Sequence, residues 1–218
     1  MRHAGLLFLL LITSVVCLPL GGIGLADLTV YTDFASFDGA TDTAIVENFE
    51  SATIPKNTGM GSFTSQGITY QPFPAPLYVA AAPHGGFGTT PTSAVLTGIG
   101  DEFFQILLND KAAKAVGFDV YLNYVGSPVT TEYYGSTGNL LGSVSDNRGT
   151  ASVWFLGVLA DEAIHKVVWK TGNYGDQLNT GIDNLRLGTV TSVVPVPGAM
   201  LLGFLGLGYA GMRLRKVA

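Results

Sequence analysis

Sixteen acidic residues, three histidines and a single cysteine are the groups with which this 218-residue chain can do chemistry. A glycosidase needs two carboxylates flanking one bond; sixteen acids offer many pairs and single out none. Serine hydrolysis on an α/β scaffold needs a Gly-x-Ser-x-Gly elbow, and the chain has none. His84 sits in Pro83-His84-Gly85-Gly86, where an imidazole can act as base or ligand, but no second ligand stands at metal-binding spacing. His165 lies in a strand pattern and reads as structural. Gly85-Gly86-Phe87-Gly88 does not lead from a strand into a helix, so it is no phosphate cradle. Cys17 is the only thiol, which excludes thiolate metal sites. No catalytic residue is assigned, and the expectation is a protein without enzymatic activity.

Sugar binding suits the aromatic residues better. Pyranose rings present apolar C–H faces, and flat side chains on a sheet can stack on them while Asp, Asn and Gln complete the hydrogen bonds. The candidates are Tyr121, Tyr133, Tyr134, Trp154, Trp169 and Tyr174. Tyr121 is expected to stand exposed, because Asp119 and Asn123 share its face of the strand. Both tryptophans read as core. Tyr133 and Tyr134 are adjacent, so only one can face the core.

The elements that must hold these groups are short strands. Residues 115–124 alternate over their full length: Val116, Phe118, Val120, Leu122 and Tyr124 on one face, Gly117, Asp119, Tyr121 and Asn123 on the other. Further strand patterns fall at 28–31, 44–50, 93–96, 103–108, 151–156, 164–170 and 181–188. Two pieces within 62–70 break at Gly67, and 129–134 with 140–144 flank Gly135-Ser136-Thr137-Gly138-Asn139 as a hairpin. A helical turn is expected at 32–37 and a turn at 59–61. Residues 71–91, with five prolines, read as a long surface loop containing a short strand at 77–80. About nine strands between Gly, Asn, Asp and Pro clusters, with no helix long enough for a βαβ crossover, predict an all-β antiparallel sandwich.

The ends differ from this body. Met1-Arg2-His3 and the apolar run 5–16 form a signal peptide, with cleavage expected after Ala26 in Gly24-Leu25-Ala26. A lipobox ending at Cys17 is disfavoured by Val16, where a small residue belongs. At the other end, no residue from Val193 to Met212 is charged, and Arg213, Arg215 and Lys216 follow. A helix of that length rises about 1.5 Å per residue and just crosses a hydrocarbon core of about 30 Å. The basic end belongs in the cytoplasm. The divisions are therefore 1–26, 27–190 and 191–218. All sixteen acidic residues and seven of the eleven basic ones lie in the middle part, leaving it nine charges negative. Such a surface argues against nucleic acid, which is bound by neutralising phosphates. It suits cations and neutral polysaccharides.

The tail begins Val194-Pro195-Val196-Pro197-Gly198. Motif, apolar run and basic end in that order resemble the PEP-CTERM sorting signal, in the variant where Val196 stands in place of the usual Glu. The resemblance implies recognition and removal by an exosortase-type membrane peptidase, and delivery to the cell surface or extracellular matrix. The body is similar to jelly-roll, galactose-binding-like domains that precede such tails. The similarity rests on Glu47-Asn48-Phe49-Glu50, Gln66-Gly67-Ile68-Thr69-Tyr70, Val116-Gly117-Phe118-Asp119-Val120 and Gly181-Ile182-Asp183-Asn184-Leu185. It implies a structural Ca²⁺ held by Glu50 and Asp183, with Glu47 as an additional ligand. Three functions follow: a non-enzymatic surface or matrix protein associated with exopolysaccharide, a calcium-stabilised carbohydrate-binding module using Tyr121, Asp119 and Asn123, or a polysaccharide hydrolase.

Overall fold

The strand with the clearest alternation in the sequence lies in the interior of the larger of two sheets. The computed structural model describes residues 27–83, 91–100, 103–122, 128–146, 152–171 and 180–191. The signal peptide, the sorting motif Val194 to Gly198, the basic residues Arg213, Arg215 and Lys216, and His84, Asn123, Tyr124 and Tyr174 lie outside the described residues.

The chain runs through β1 (Leu28–Tyr31), α1 (Phe34–Ala40), β2 (Thr41–Glu47), β3 (Gly59–Met60), β4 (Phe63–Ser65), β5 (Ile68–Pro72), β6 (Leu77–Ala80) and β7 (Val95–Gly98). It continues with β8 (Phe104–Leu107), β9 (Ala113–Leu122), β10 (Val129–Tyr134), β11 (Leu140–Asp146), β12 (Ser152–Ile164), β13 (Lys166–Thr171) and β14 (Thr180–Val190). One sheet has the order β1-β12-β9-β14-β7-β6-β3, with β2 also paired to β14; the other is β11-β10-β13-β8-β5-β4. Every pairing is antiparallel. The body is therefore all-β and sandwich-like, as its alternating pattern predicts.

One core fills the space between the sheets. Val116, Phe118, Val120 and Leu122 of β9 enter it from one side, Tyr133 of β10 and Trp169 of β13 from the other. Phe118 meets Trp169 edge to face, with ring centroids 5.9 Å apart. Trp154 is buried here too, and Tyr133 is buried while Tyr134 faces outward, as adjacency requires.

Two details differ from the sequence reading. Gly59–Met60, expected as a turn, is a short strand paired with β6. The proline-rich stretch holds the expected strand at 77–80 as β6, but its start is not loop: β5 runs through Pro72 opposite Phe104. On its other side β5 meets β4 only as far as Tyr70, so Pro72 has no donor to supply to a ladder there.

Candidate functional site

The two outer faces are built differently. On the larger sheet, Asp33 caps α1 by accepting the Ser36 N–H at 2.8 Å. The helix drops Phe37 onto β9 and β12, where it packs with Phe155 at a centroid distance of 5.1 Å. Gly117 and Gly157 are partners across these strands and leave room for the rings; a Cβ on Gly117 would lie 2.7 Å from the Phe155 ring. The second face of β9, expected to be polar and open, is thus partly roofed.

Beyond this roof lies a knot of polar side chains. Asp183 of β14 is opposite Asp119 of β9. The register then slips between Asp183 and Arg186, and Asn184 takes a left-handed conformation with φ 49°. This bulge puts Ile182 and Leu185 in the core and turns Asp183 outward. Asp183 has no solvent exposure. Its carboxylate accepts the Ser93 hydroxyl and, at 2.5 Å, the Asn184 N–H. Asn184 Nδ2 donates to Asp119 at 2.7 Å, and Arg186 donates to Asp119 at 3.4 Å and to the Asn184 carbonyl at 2.9 Å. The Arg186 guanidinium lies 4.5 Å from the Phe34 ring centroid and 5.5 Å from that of Phe155. Glu50 joins through the same connection as Ser93, accepting the Ala94 N–H at 2.6 Å.

Burial drives the Asp183 carboxyl up to about 6; the Ser93 and Asn184 hydrogen bonds resist this, and the charges of Asp119 and Glu50 add to it. Burial likewise raises the Tyr121 hydroxyl, with help from Asp183 and Asp119. Tyr121 itself is only 8% exposed and packs with Val95 and Ala80. Its expected role as an exposed stacking ring is therefore corrected: β7 and β6 extend the sheet beside it and cover the ring. Asp119 is present at the face but bonded to Asn184 and Arg186.

Glu47 and Glu50 are three residues apart yet point to different places. Phe49 adopts φ 57° and buries its ring on Tyr70. The Glu47 carboxylate folds back to accept the Phe49 N–H at 2.7 Å. That leaves Glu47 2% exposed on the core side, next to Leu185 in the β2–β14 register, while Glu50 is exposed. Glu47 Oε2 and the Tyr70 hydroxyl have no hydrogen-bond partner among the described residues. Burial, then the Glu47 charge, pushes the Tyr70 hydroxyl well up. The structure thus brings Glu50 and Asp183 together, adds Asp119, and sets Glu47 apart.

The outer face of the six-stranded sheet carries no such roof among the described residues. Registers align Tyr134, Lys166, Leu107 and Thr69 in one row, and Glu132, Val168, Gln105 and Gln71 in the next. Glu132 accepts the Tyr134 hydroxyl at 2.6 Å and pairs with Lys170 at 2.6 Å. Lys166 Nζ stands 4.0 Å from the Tyr134 ring centroid. The hydrogen bond to Glu132, with burial and the Glu132 charge, raises the Tyr134 hydroxyl to about 12. Burial pushes the Glu132 carboxyl up, but the bonds from Lys170 and Tyr134 outweigh it and leave the carboxyl below its ordinary value.

A cleft of about 390 Å³ between Met60, Pro72, Pro74 and Pro76 shares no lining residue with either polar group. Among the described residues no three acidic, histidine or cysteine side chains converge as a ready metal cage, and no helix is long and apolar enough to cross a membrane. What fold and site define is a two-sheet antiparallel β protein with a buried carboxylate knot on one face and an open polar face on the other. The chain matches no protein-family model and no curated protein.

Proposed function

We propose that this is an exported protein of the cell surface or extracellular matrix, sorted by its C-terminal tail and associated with exopolysaccharide without catalysing a reaction on it. The carrying observation is the order of the tail: Val194-Pro195-Val196-Pro197-Gly198, an uncharged run to Met212, then Arg213, Arg215 and Lys216. An exosortase-type peptidase is the partner this order calls for. Support from the body is its architecture, which we read as a jelly roll of the galactose-binding-like kind, and the carboxylates of Asp183, Asp119 and Glu132, which are tied to neighbouring donors.

The test is the intact mass of the mature protein from the cells that make it. A chain ending near Pro195 to Pro197 is the expected result. A chain still ending at Ala218 makes the body a membrane-anchored domain facing the periplasm, and the matrix reading falls.

The knot around Asp183 favours a second reading, a calcium-stabilised carbohydrate-binding module. Asp183 feels the charges of Asp119 and Glu50, Arg186 pairs with Asp119, and the carboxylates offer oxygen ligands. That is the chemistry a hard cation requires. Asp183 and Glu50 would hold the ion and tie β14 to the connection after β2, with backbone carbonyls and water completing its six to eight oxygens. A melting temperature raised by Ca²⁺ in the unaltered protein and unaffected by it in Asp183→Ala is the expected result. Equal melting in calcium and in chelator removes the ion from the account.

A further inference from the structure

We propose that the outer face of the six-stranded sheet binds an acidic, uronate-bearing polysaccharide, with Lys166 and Lys170 taking sugar carboxylates beside the Tyr134 ring. The inference rests on the polysaccharide association proposed above and names its ligand class and surface.

The argument begins with where the charges lie. The body is nine charges negative, and its carboxylates Asp183, Asp119 and Glu50 gather on the other sheet. On the outer face of the six-stranded sheet the described residues carry one carboxylate, Glu132, against Lys166 in the Tyr134 row and Lys170 opposite Thr130, one row beyond Glu132. Glu132 is already satisfied by Lys170 and by the Tyr134 hydroxyl. Lys166 contacts a ring and makes no ion pair among the described residues. Among the described residues this face therefore carries one positive charge in excess on an acidic protein, and it complements an anion.

Spacing selects the anion. Lys166 and Lys170 are four residues apart on one strand, with their Cα atoms about 13 Å apart. Duplex DNA presents one charge per about 1.7 Å, and recognition of anionic lipid uses clusters of four to eight basic residues. Two lysines are too few for either. They suit a polymer whose carboxylates are separated by sugar rings. Between and beside the lysines the face offers what a sugar uses. Gln105 and Gln71 supply amides in the Glu132 row, and Thr69 supplies a hydroxyl in the Tyr134 row. The Tyr134 ring, half-buried and pointing out, supplies a flat apolar contact.

The experiment titrates full-length protein in detergent micelles with polygalacturonate, with neutral dextran in parallel, in the presence of a chelator so that calcium does not bridge carboxylates. Binding of polygalacturonate that weakens as salt rises is expected. Lys166→Gln/Lys170→Gln should weaken it about tenfold, a free-energy change of about 1.4 kcal/mol. Lys166→Gln alone, which leaves the Glu132–Lys170 pair in place, should show part of that loss with an unchanged melting temperature. Undiminished binding by the double variant overturns the proposal. Dextran binding without polygalacturonate binding also overturns it, while leaving the broader polysaccharide reading intact. Binding of neither polymer overturns both. Lysine-dependent binding to phosphatidylserine vesicles, with no binding of polygalacturonate, overturns it in favour of a lipid surface.

Discussion

The two outer faces of this sandwich are made from similar alternating strands, yet one is closed and the other open. On the eight-stranded sheet, paired glycines admit a helix whose Phe37 covers β9 and β12, and the bulge at Asp183–Asn184 turns a buried carboxylate to the same side. On the six-stranded sheet the outward rows carry Gln, Thr, Lys, Glu and one Tyr around Leu107 and Val168, and Tyr134 and Lys170 both bond Glu132. The difference teaches that a polar alternation fixes which residues leave the core and does not fix whether they meet solvent. That depends on what else docks there.

If the roof is part of the fold's stability, removing it should have the largest effect of any change outside the shared core. Phe37→Ala takes away a fully buried ring that packs on Phe155 and Tyr31. A loss of about 3–5 kcal/mol is expected, because the space beneath is lined by two strands that cannot collapse into it. Urea denaturation measures this directly. A loss below about 1 kcal/mol would mean that the two faces do not differ in the way described.

The carboxylate knot supplies the next effect. Asp183 keeps its proton to about pH 6 in the folded protein, against an ordinary 3.8. The folded form therefore binds more protons between these values. Its stabilising contribution is complete below about pH 4 and is lost as pH rises through about 6. The size is on the order of 2–3 kcal/mol. Without calcium, the melting temperature should fall across this window, and Asp183→Asn should flatten the fall. If an ion occupies the knot, calcium should restore more stability at pH 7 than at pH 5, because it competes with that proton. A flat profile in the unaltered protein would contradict the burial argument.

Arg186 joins the roof to the knot. Its guanidinium bonds Asp119 and the Asn184 carbonyl and lies against Phe34 and Phe155. Arg186→Ala should cost about 1–3 kcal/mol, combining a cation–π contact with hydrogen bonds to a carboxylate that is then left less satisfied. Calcium should offset more of this loss than of the Phe37→Ala loss, since only Arg186 carries charge into the knot. Equal rescue of both variants would separate the ion from Arg186.

Much of this was legible in the sequence where local pattern decides. The core face of β9 and the split between Tyr133 and Tyr134 follow from alternation, and the burial of Trp154 and Trp169 from what large aromatics do in a sandwich. A strand at 77–80 was visible within the prolines. The bulge also left a trace: Ile182, Leu185 and Leu187 are all core residues, and a step of three within a period-two strand marks an extra residue. What the pattern did not contain was cross-strand register. Nothing local places Asp119 against Asp183, or Gln71 level with Glu132 through β8 and β13. Nor does it reveal that Phe49 takes a left-handed conformation and sends Glu47 and Glu50 to opposite sides. The cover over Tyr121 is not local either: its neighbours Val95 and Ala80 come from β7 and β6, distant in sequence.

The smallest effect tests the open face. Glu132 is partly exposed, so removing its charge should change stability by less than about 1 kcal/mol. Its neighbour should respond more clearly. The Tyr134 hydroxyl ionises near 12 chiefly because it donates to the Glu132 carboxylate at 2.6 Å. Glu132→Gln should bring that ionisation down toward 10, followed by NMR of the tyrosine ring. Lys170 loses its partner in the same variant and becomes a second free ammonium beside Lys166, so affinity for polygalacturonate should rise. A hydroxyl that still ionises near 12, with affinity unchanged, would mean that the row is not electrostatically coupled. The open face would then be polar surface like any other, and its contrast with the closed one would reduce to the presence of a helix.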